Sequence, residues 1–105
     1  MTEYLCLTLL ARADEPEEAF KTRLTAFWTH LLRTQPDTYD AVFAEAKAFD
    51  TTDGRISRAY MVEADAIDTV TQVLAASDMS AAPVDADDTY TKYEASGSEW
   101  FQIAH

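Results

Sequence analysis

The sequence predicts an α+β domain in which one antiparallel sheet carries two helices on one face. Three observations predict it: an apolar β-prone run followed by a long amphipathic helix, an Asp-Gly turn between two further β-prone runs, and a second amphipathic helix before the last β-prone runs. The order is therefore βαββαβ. The chain has 105 residues, which fits a single domain over 1–105.

The first strand is predicted at 3–11, where the residues from Tyr4 to Leu10 are almost all apolar. Cys6 lies in this run, and we interpret it as a buried, unreactive thiol because no basic residue stands beside it. One cysteine cannot form an internal disulfide, so a cytoplasmic location is expected. The N-terminus has no basic segment before its short apolar run, so neither a signal peptide nor a membrane span is expected there.

The first helix is predicted to begin at 14–16, with the proline in its first position and one of the acids as its cap. It should end near Thr34, because Pro36 disfavours helical geometry in the residue before it. Its apolar residues recur at helical spacing and form one stripe. The members of that stripe are Phe20, Leu24, Phe27, Trp28, Leu31 and Leu32.

The segment 38–50 allows two interpretations. Four alanines and helical spacing favour a helix at 38–48, whereas the alternation of Phe43, Glu45, Lys47 and Phe49 with alanines favours a strand. The Asp-Gly pair at 53–54 is a strong hairpin signal. We therefore favour a hairpin of 42–50 and 56–63 and keep the helix as the alternative.

A second helix is predicted at 65–77 with Asp65 as its N-cap, followed by an exposed loop at 78–88. Strands are expected at 89–94 and, as a possible extra strand, at 99–104. Four antiparallel strands with two helices on one face describe a ferredoxin-like domain. Aromatic residues on the uncovered face lead us to expect a homodimer that buries it.

The layout resembles the dimeric α+β barrel superfamily, which includes antibiotic-biosynthesis-monooxygenase-like and stress-responsive small domains. The resemblance covers 3–77 and implies a homodimer with a pocket between the sheet and its helices. Haem degradation is not implied, because the predicted helix 65–77 lacks the histidine, tryptophan and asparagine that serve haem-degrading members. The segments that carry the resemblance are the strand 4–11, Glu17-Glu18-Ala19-Phe20, Gln35-Pro36-Asp37, Thr52-Asp53-Gly54, Ala59–Glu63 and the helix from Asp65.

Most familiar catalytic arrangements lack support. Two glycines cannot build a phosphate loop or a dinucleotide-binding turn. Of the two histidines, His30 falls on the polar side of the first helix and His105 ends the chain, so no nucleophile–histidine pair is indicated. The acids at 85–88 are interpreted as solvated loop residues rather than a cation site. We therefore name no catalytic residue and expect neither a metal nor a cofactor.

Aromatic residues supply the candidate site. Tyr60, Trp100 and Phe101 are predicted to line an apolar pocket, with Trp28 from the first helix. Arg58 shares a strand face with Tyr60 and is the candidate for orienting an anionic or carbonyl group. The competing interpretation places these aromatics in the core and dimer interface and Arg58 in a surface ion pair.

Two functions follow as hypotheses. The first is a homodimer that binds a small, apolar or aromatic molecule and acts as a cofactor-free monooxygenase or isomerase. The second is a non-catalytic acidic protein that docks on a basic partner, suggested by a net charge of −11. That charge disfavours nucleic acid and anionic membranes as ligands. Acidic residues occur in every segment, however, which favours local roles for them over one docking surface.

Overall fold

The computed structural model describes residues 2–103. Over that range the chain forms a seven-stranded antiparallel sheet and four α-helices, so the predicted α+β class is confirmed. The strands are β1 (Tyr4–Leu10), β2 (Val42–Ala46), β3 (Asp50–Thr52), β4 (Arg55–Glu63), β5 (Ser80–Ala81), β6 (Thr89–Tyr90) and β7 (Trp100–Gln102). The helices are α1 (Glu17–Thr34), α2 (Pro36–Asp40), α3 (Ile67–Ala76) and α4 (Lys92–Ala95).

The two longest strands, β1 and β4, form the centre of the sheet. They pair along their whole shared length, from Tyr4 opposite Glu63 to Leu10 opposite Ser57. The other edge of β4 takes β2 and β3, and β7 pairs with β2 beyond them. The short strands β5 and β6 both pair with the outer edge of β1.

A two-residue turn at Asp53-Gly54 joins β3 to β4. Both residues have positive φ, 53° and 73°, as a type I′ hairpin requires, which confirms the predicted turn. The strand interpretation is confirmed over 42–46 and at Asp50, although the chain leaves the sheet between them. The helix alternative is wrong beyond residue 40, where α2 ends.

Helix α1 ends at Thr34, as predicted. Its beginning differs, because Pro16 occupies the N-cap and no side chain caps the free amides. Glu15 instead accepts hydrogen bonds from the Arg23 guanidinium at 2.6 and 2.7 Å and from the Arg12 amide at 2.9 Å. The predicted apolar stripe is buried except for Leu32, which is about half exposed.

The predicted second helix begins as a 3₁₀ turn, Ala64–Ala66, and continues as α3. Asp65 lies inside that turn and caps nothing, so its predicted role is wrong. Val70 and Leu74 are fully buried on the inner side of α3.

The segment from 78 onward differs most from prediction. The expected loop contains β5, and the strand expected at 89–94 stops at Tyr90. Helix α4 follows, because Thr91 and Glu94 form a capping box in which each side chain accepts from the other residue's amide. The extra strand is confirmed at Trp100–Gln102.

The two faces of the sheet are unequal. The helix face, defined here as the side covered by α1 and α3, holds the larger core, in which Leu7 and Leu9 pack against Phe20 and Leu74. The opposite side, the far face, carries a smaller cluster that includes Met61. None of the helices within 2–103 is long and apolar enough to cross a membrane.

Candidate functional site

One row of side chains crosses three neighbouring strands on the helix face. Tyr60 in β4 lies opposite Glu45 in β2, and Glu45 lies opposite Phe101 in β7. All three line a groove that is roofed by α1. The row therefore places an aromatic, a carboxylate and a second aromatic side by side under the helix.

A β-bulge at Phe43 directs Glu45 into this row. The register of β2 against β4 shifts between Val42 and Ala44, so one extra residue is accommodated. Phe43 packs against Tyr4 on the far face, with ring centroids 5.0 Å apart. Glu45 thereby reaches the helix face, whereas strict alternation after Val42 would have sent it to the far face. The expectation that Phe43 and Glu45 share one side is wrong for this reason.

We call the cavity lined by this row and α1 the Trp28 groove. Its volume is about 450 Å³, enough for a small organic molecule. Its apolar walls come from Leu24 and Leu32 on α1 and from Phe101 and Ile103 at the C-terminal edge of the sheet. Lys21, also on α1, lies at its exposed rim.

Three polar side chains form the floor of the Trp28 groove. The Tyr60 hydroxyl donates a hydrogen bond of 2.7 Å to Glu45 Oε2, and Arg58 Nη2 lies 3.3 Å from Glu45 Oε1. Arg58 Nε donates to the carbonyl of Ala46 at 2.8 Å, and its guanidinium stacks 4.6 Å from the centroid of the Phe49 ring. These three contacts, with Glu45, Ala46 and Phe49, fix the position of the Arg58 guanidinium.

Tyr60 stays a neutral phenol. Burial raises its pKa far above the ordinary value, and the nearby Glu45 carboxylate raises it further through charge repulsion and by accepting its proton in a hydrogen bond. Because its hydrogen is directed to Glu45, Tyr60 has no second proton to offer a ligand.

Trp28 lines the groove and packs against Tyr60. Its side chain is 9% exposed, and its ring centroid lies 4.8 Å from that of Tyr60. The indole N–H is buried and has no aligned hydrogen-bond partner, although it is close enough to the Tyr60 oxygen to lower that group's pKa slightly. Buried tryptophan N–H groups usually find an acceptor, and the one that this N–H approaches is the Tyr60 oxygen, on the side away from the open groove.

Four of the five residues named from the sequence line the Trp28 groove: Trp28, Arg58, Tyr60 and Phe101. Trp100 lies apart, in a second cavity of about 540 Å³ on the far face, beside Ser57 and Ala59. Adjacent residues of a strand point to opposite faces, which separates Trp100 from Phe101. Sequence reasoning missed Glu45 as a site residue.

Other residues weighed from the sequence lie away from the groove. His30 is exposed on α1, and His105 is outside the described residues. Asp85 accepts a hydrogen bond from the backbone amide of Asp87, an ordinary turn interaction. Cys6 is half-buried, and burial raises the pKa of its thiol. In the chain from 2 to 103, no three side chains of the kinds that bind metals come together.

No protein-family model, curated protein or solved structure matches this chain. Its function is therefore inferred from the chemistry of the Trp28 groove.

Proposed function

We propose that the protein binds a small, apolar or aromatic molecule in the Trp28 groove. The observation that carries this proposal is the groove itself, a cavity of about 450 Å³ with apolar walls and with the half-exposed Leu32 and Phe101 at its mouth. A bound molecule would bury the exposed parts of these two side chains, which contributes about 25 cal/mol for each Å² of apolar surface removed from water.

The rims of the groove support the same proposal. Leu32 and Phe101 are each about half exposed, and they face the groove from α1 and from β7. Within 2–103 three large hydrophobic side chains are exposed, and the third, Tyr93, lies away from the groove. Apolar surface that is gathered at a cavity mouth marks a binding site more often than scattered surface does.

The strand arrangement supports a ferredoxin-like domain as the scaffold. Such a domain has its first and third strands at the centre of the sheet, as β1 and β4 are here, if β2 and β3 count as one interrupted strand. On this basis we retain the dimeric α+β barrel as the proposed family. A second copy would cover the far-face cavity, whose floor consists of the small residues Thr8, Ser57 and Ala59.

Cofactor-free monooxygenation, with dioxygen as the oxidant, and isomerisation are the reactions proposed for this groove. Both begin with removal of a proton from the bound molecule, and Glu45 places a partly exposed carboxylate at the groove floor. Binding is the first property to test, because either reaction requires it.

The test is an NMR titration of the ¹⁵N-labelled protein with naphthalene and 2-acetylnaphthalene. We expect the Trp28 indole N–H resonance to shift, with Trp100→Phe providing its assignment. Phe101→Ala should weaken binding about fivefold through lost apolar contact, an effect of about 1 kcal/mol. Tyr93→Ala is the matched control, because it removes an exposed aromatic ring away from the groove. A Trp28 resonance that does not respond to either compound would refute the proposal.

A further inference from the structure

The floor of the Trp28 groove offers a bound molecule an acceptor rather than a donor. Of its three polar side chains, Tyr60 is fully buried, Arg58 is 10% exposed and Glu45 is 26% exposed. The Tyr60 hydroxyl donates to Glu45. Arg58 directs its donors to Glu45 and to the Ala46 carbonyl. The Glu45 carboxylate is therefore the polar group of the floor that a ligand meets first.

Glu45 keeps acceptor capacity after these contacts. A carboxylate has about four lone-pair positions, two on each oxygen. Arg58 approaches Oε1, and the Tyr60 hydroxyl donates to Oε2, so each oxygen of Glu45 has one of these contacts. A donor that enters between the apolar walls can use the remaining capacity, and a hydrogen bond to an ionised acceptor is stronger than one between neutral groups.

The charges around the groove favour an uncharged donor. An anion would meet the like charge of Glu45 at the floor. A cation would be attracted by Glu45 but repelled by Arg58 behind it and by Lys21 at the rim. Either ion would also lose hydration between the apolar walls, which is costly. A neutral hydroxyl group brings one donor without these penalties.

We propose that the Trp28 groove selects uncharged apolar molecules that carry a hydroxyl group, whose hydrogen the Glu45 carboxylate accepts. This inference rests on the proposed ligand-binding function and specifies its ligand class. A molecule of the same shape whose polar group only accepts hydrogen bonds binds less tightly, because it sets lone pairs against the carboxylate.

The experiment uses titration calorimetry to compare three molecules with one carbon skeleton: 1-(2-naphthyl)ethanol, the corresponding ketone 2-acetylnaphthalene, and 1-(2-naphthyl)ethylammonium. Native protein should bind the alcohol about tenfold more tightly than the ketone, as expected for one hydrogen bond to a charged acceptor. The ammonium ion should bind more weakly than the alcohol.

Two variants isolate the role of Glu45. Glu45→Gln keeps the shape of the side chain but offers amide donors, so the preference for the alcohol over the ketone should fall to about twofold or less. Glu99→Gln makes the same change in net charge on the far face and should leave the preference unchanged. Binding of the ketone to Glu45→Gln shows that the groove is intact, and the comparison on native protein decides the inference even if that variant fails to fold.

Three results would overturn this inference while leaving the proposed function standing. They are equal binding of alcohol and ketone to native protein, binding of the ammonium ion as tightly as the alcohol or more tightly, and a tenfold preference that survives in Glu45→Gln. If none of the three compounds binds, the proposed function fails, and the inference fails with it.

Discussion

Two arginine–glutamate pairs on the helix side of the molecule differ in how far the glutamate carboxylate is shielded from its surroundings. Glu15 takes two hydrogen bonds from Arg23, at 2.6 and 2.7 Å, and its side chain is only 9% exposed. Glu45 Oε1 lies 3.3 Å from Arg58 Nη2, and Oε2 accepts a hydrogen bond from the Tyr60 hydroxyl. The Glu45 side chain nevertheless lines the Trp28 groove. In the first pair the acid is the more buried partner, and in the second the base is.

The difference separates a structural pair from one that can meet a ligand. A carboxylate with short two-point contacts and an additional backbone donor fixes local geometry, here the turn before α1. A carboxylate with a longer contact, exposed in an apolar groove, keeps acceptor capacity for a bound molecule. Three substitution experiments measure how far the two pairs differ, and a fourth examines a third pair, Arg12–Asp78.

The largest effect is expected for Arg58→Met, which should lower the free energy of unfolding by about 2–4 kcal/mol. The change leaves Glu45 without its cation and the Ala46 carbonyl without its donor. Arg23→Met should cost less, about 1–2 kcal/mol, because the Arg23 side chain is 21% exposed against 10% for Arg58. Urea denaturation measures both, and an equal loss in the two variants would contradict the difference in burial.

The Arg23–Glu15 pair should make the free energy of unfolding depend on pH in the acid range. Hydrogen bonds from Arg23 lower the pKa of Glu15 to about 2, so its contribution is complete above its ordinary pKa of 4.5 and disappears as the pH falls to about 2. Native protein should therefore exceed Glu15→Gln in stability by about 1–2 kcal/mol at pH 7. The gap should close between pH 4.5 and 2 in urea titrations. A gap that stays constant across that window would show that ionisation of Glu15 is not its source.

Removing the Tyr60 hydroxyl should have a smaller effect. Tyr60→Phe deletes the 2.7 Å hydrogen bond to Glu45 and should cost about 1 kcal/mol. Tyr93→Phe, at an exposed position, should change stability by less than about 0.3 kcal/mol. Chemical denaturation measures the loss of unfolding free energy in both variants. Equal losses would mean that the Tyr60–Glu45 hydrogen bond does not stabilise the fold.

The smallest effect is expected for a third pair that is open to water. Arg12 and Asp78 meet at 3.0 Å, but both side chains are largely exposed. A double-mutant cycle with Arg12→Gln and Asp78→Asn should give a coupling energy below about 0.5 kcal/mol. Asparagine suits position 78 because the residue there has a positive φ of 57°. Coupling above 1 kcal/mol would show that exposure alone does not rank these pairs.

Several elements could be predicted because their signals are local. Helix α1 follows from apolar spacing and from Pro36, and the β3–β4 turn follows from Asp53-Gly54. Helix α4 was missed although its Thr91-x-x-Glu94 capping box is legible in the sequence. The separation of Trp100 from Phe101 was also within reach, since neighbours on a strand face opposite ways.

The rest depended on strands that meet only in the folded chain. Glu45 joins Tyr60 because β2 pairs with β4 in one register, and that register includes the bulge at Phe43. Leu32 belongs to the apolar stripe by spacing, yet no element covers it, so it became a rim of the groove.

By itself, the sequence determined the class of fold, the first helix, the hairpin turn and the choice of Tyr60 and Arg58 as neighbours on one face. Each of these rests on interactions within a few residues, where periodicity and backbone preference act directly. Only the tertiary structure decided that Arg58 is neutralised, that Glu45 is the more exposed of the two charges and that the Trp28 N–H is buried beside the Tyr60 oxygen. Those outcomes depend on distances between strands and helices remote in sequence, and a single extra residue in β2 is enough to change them.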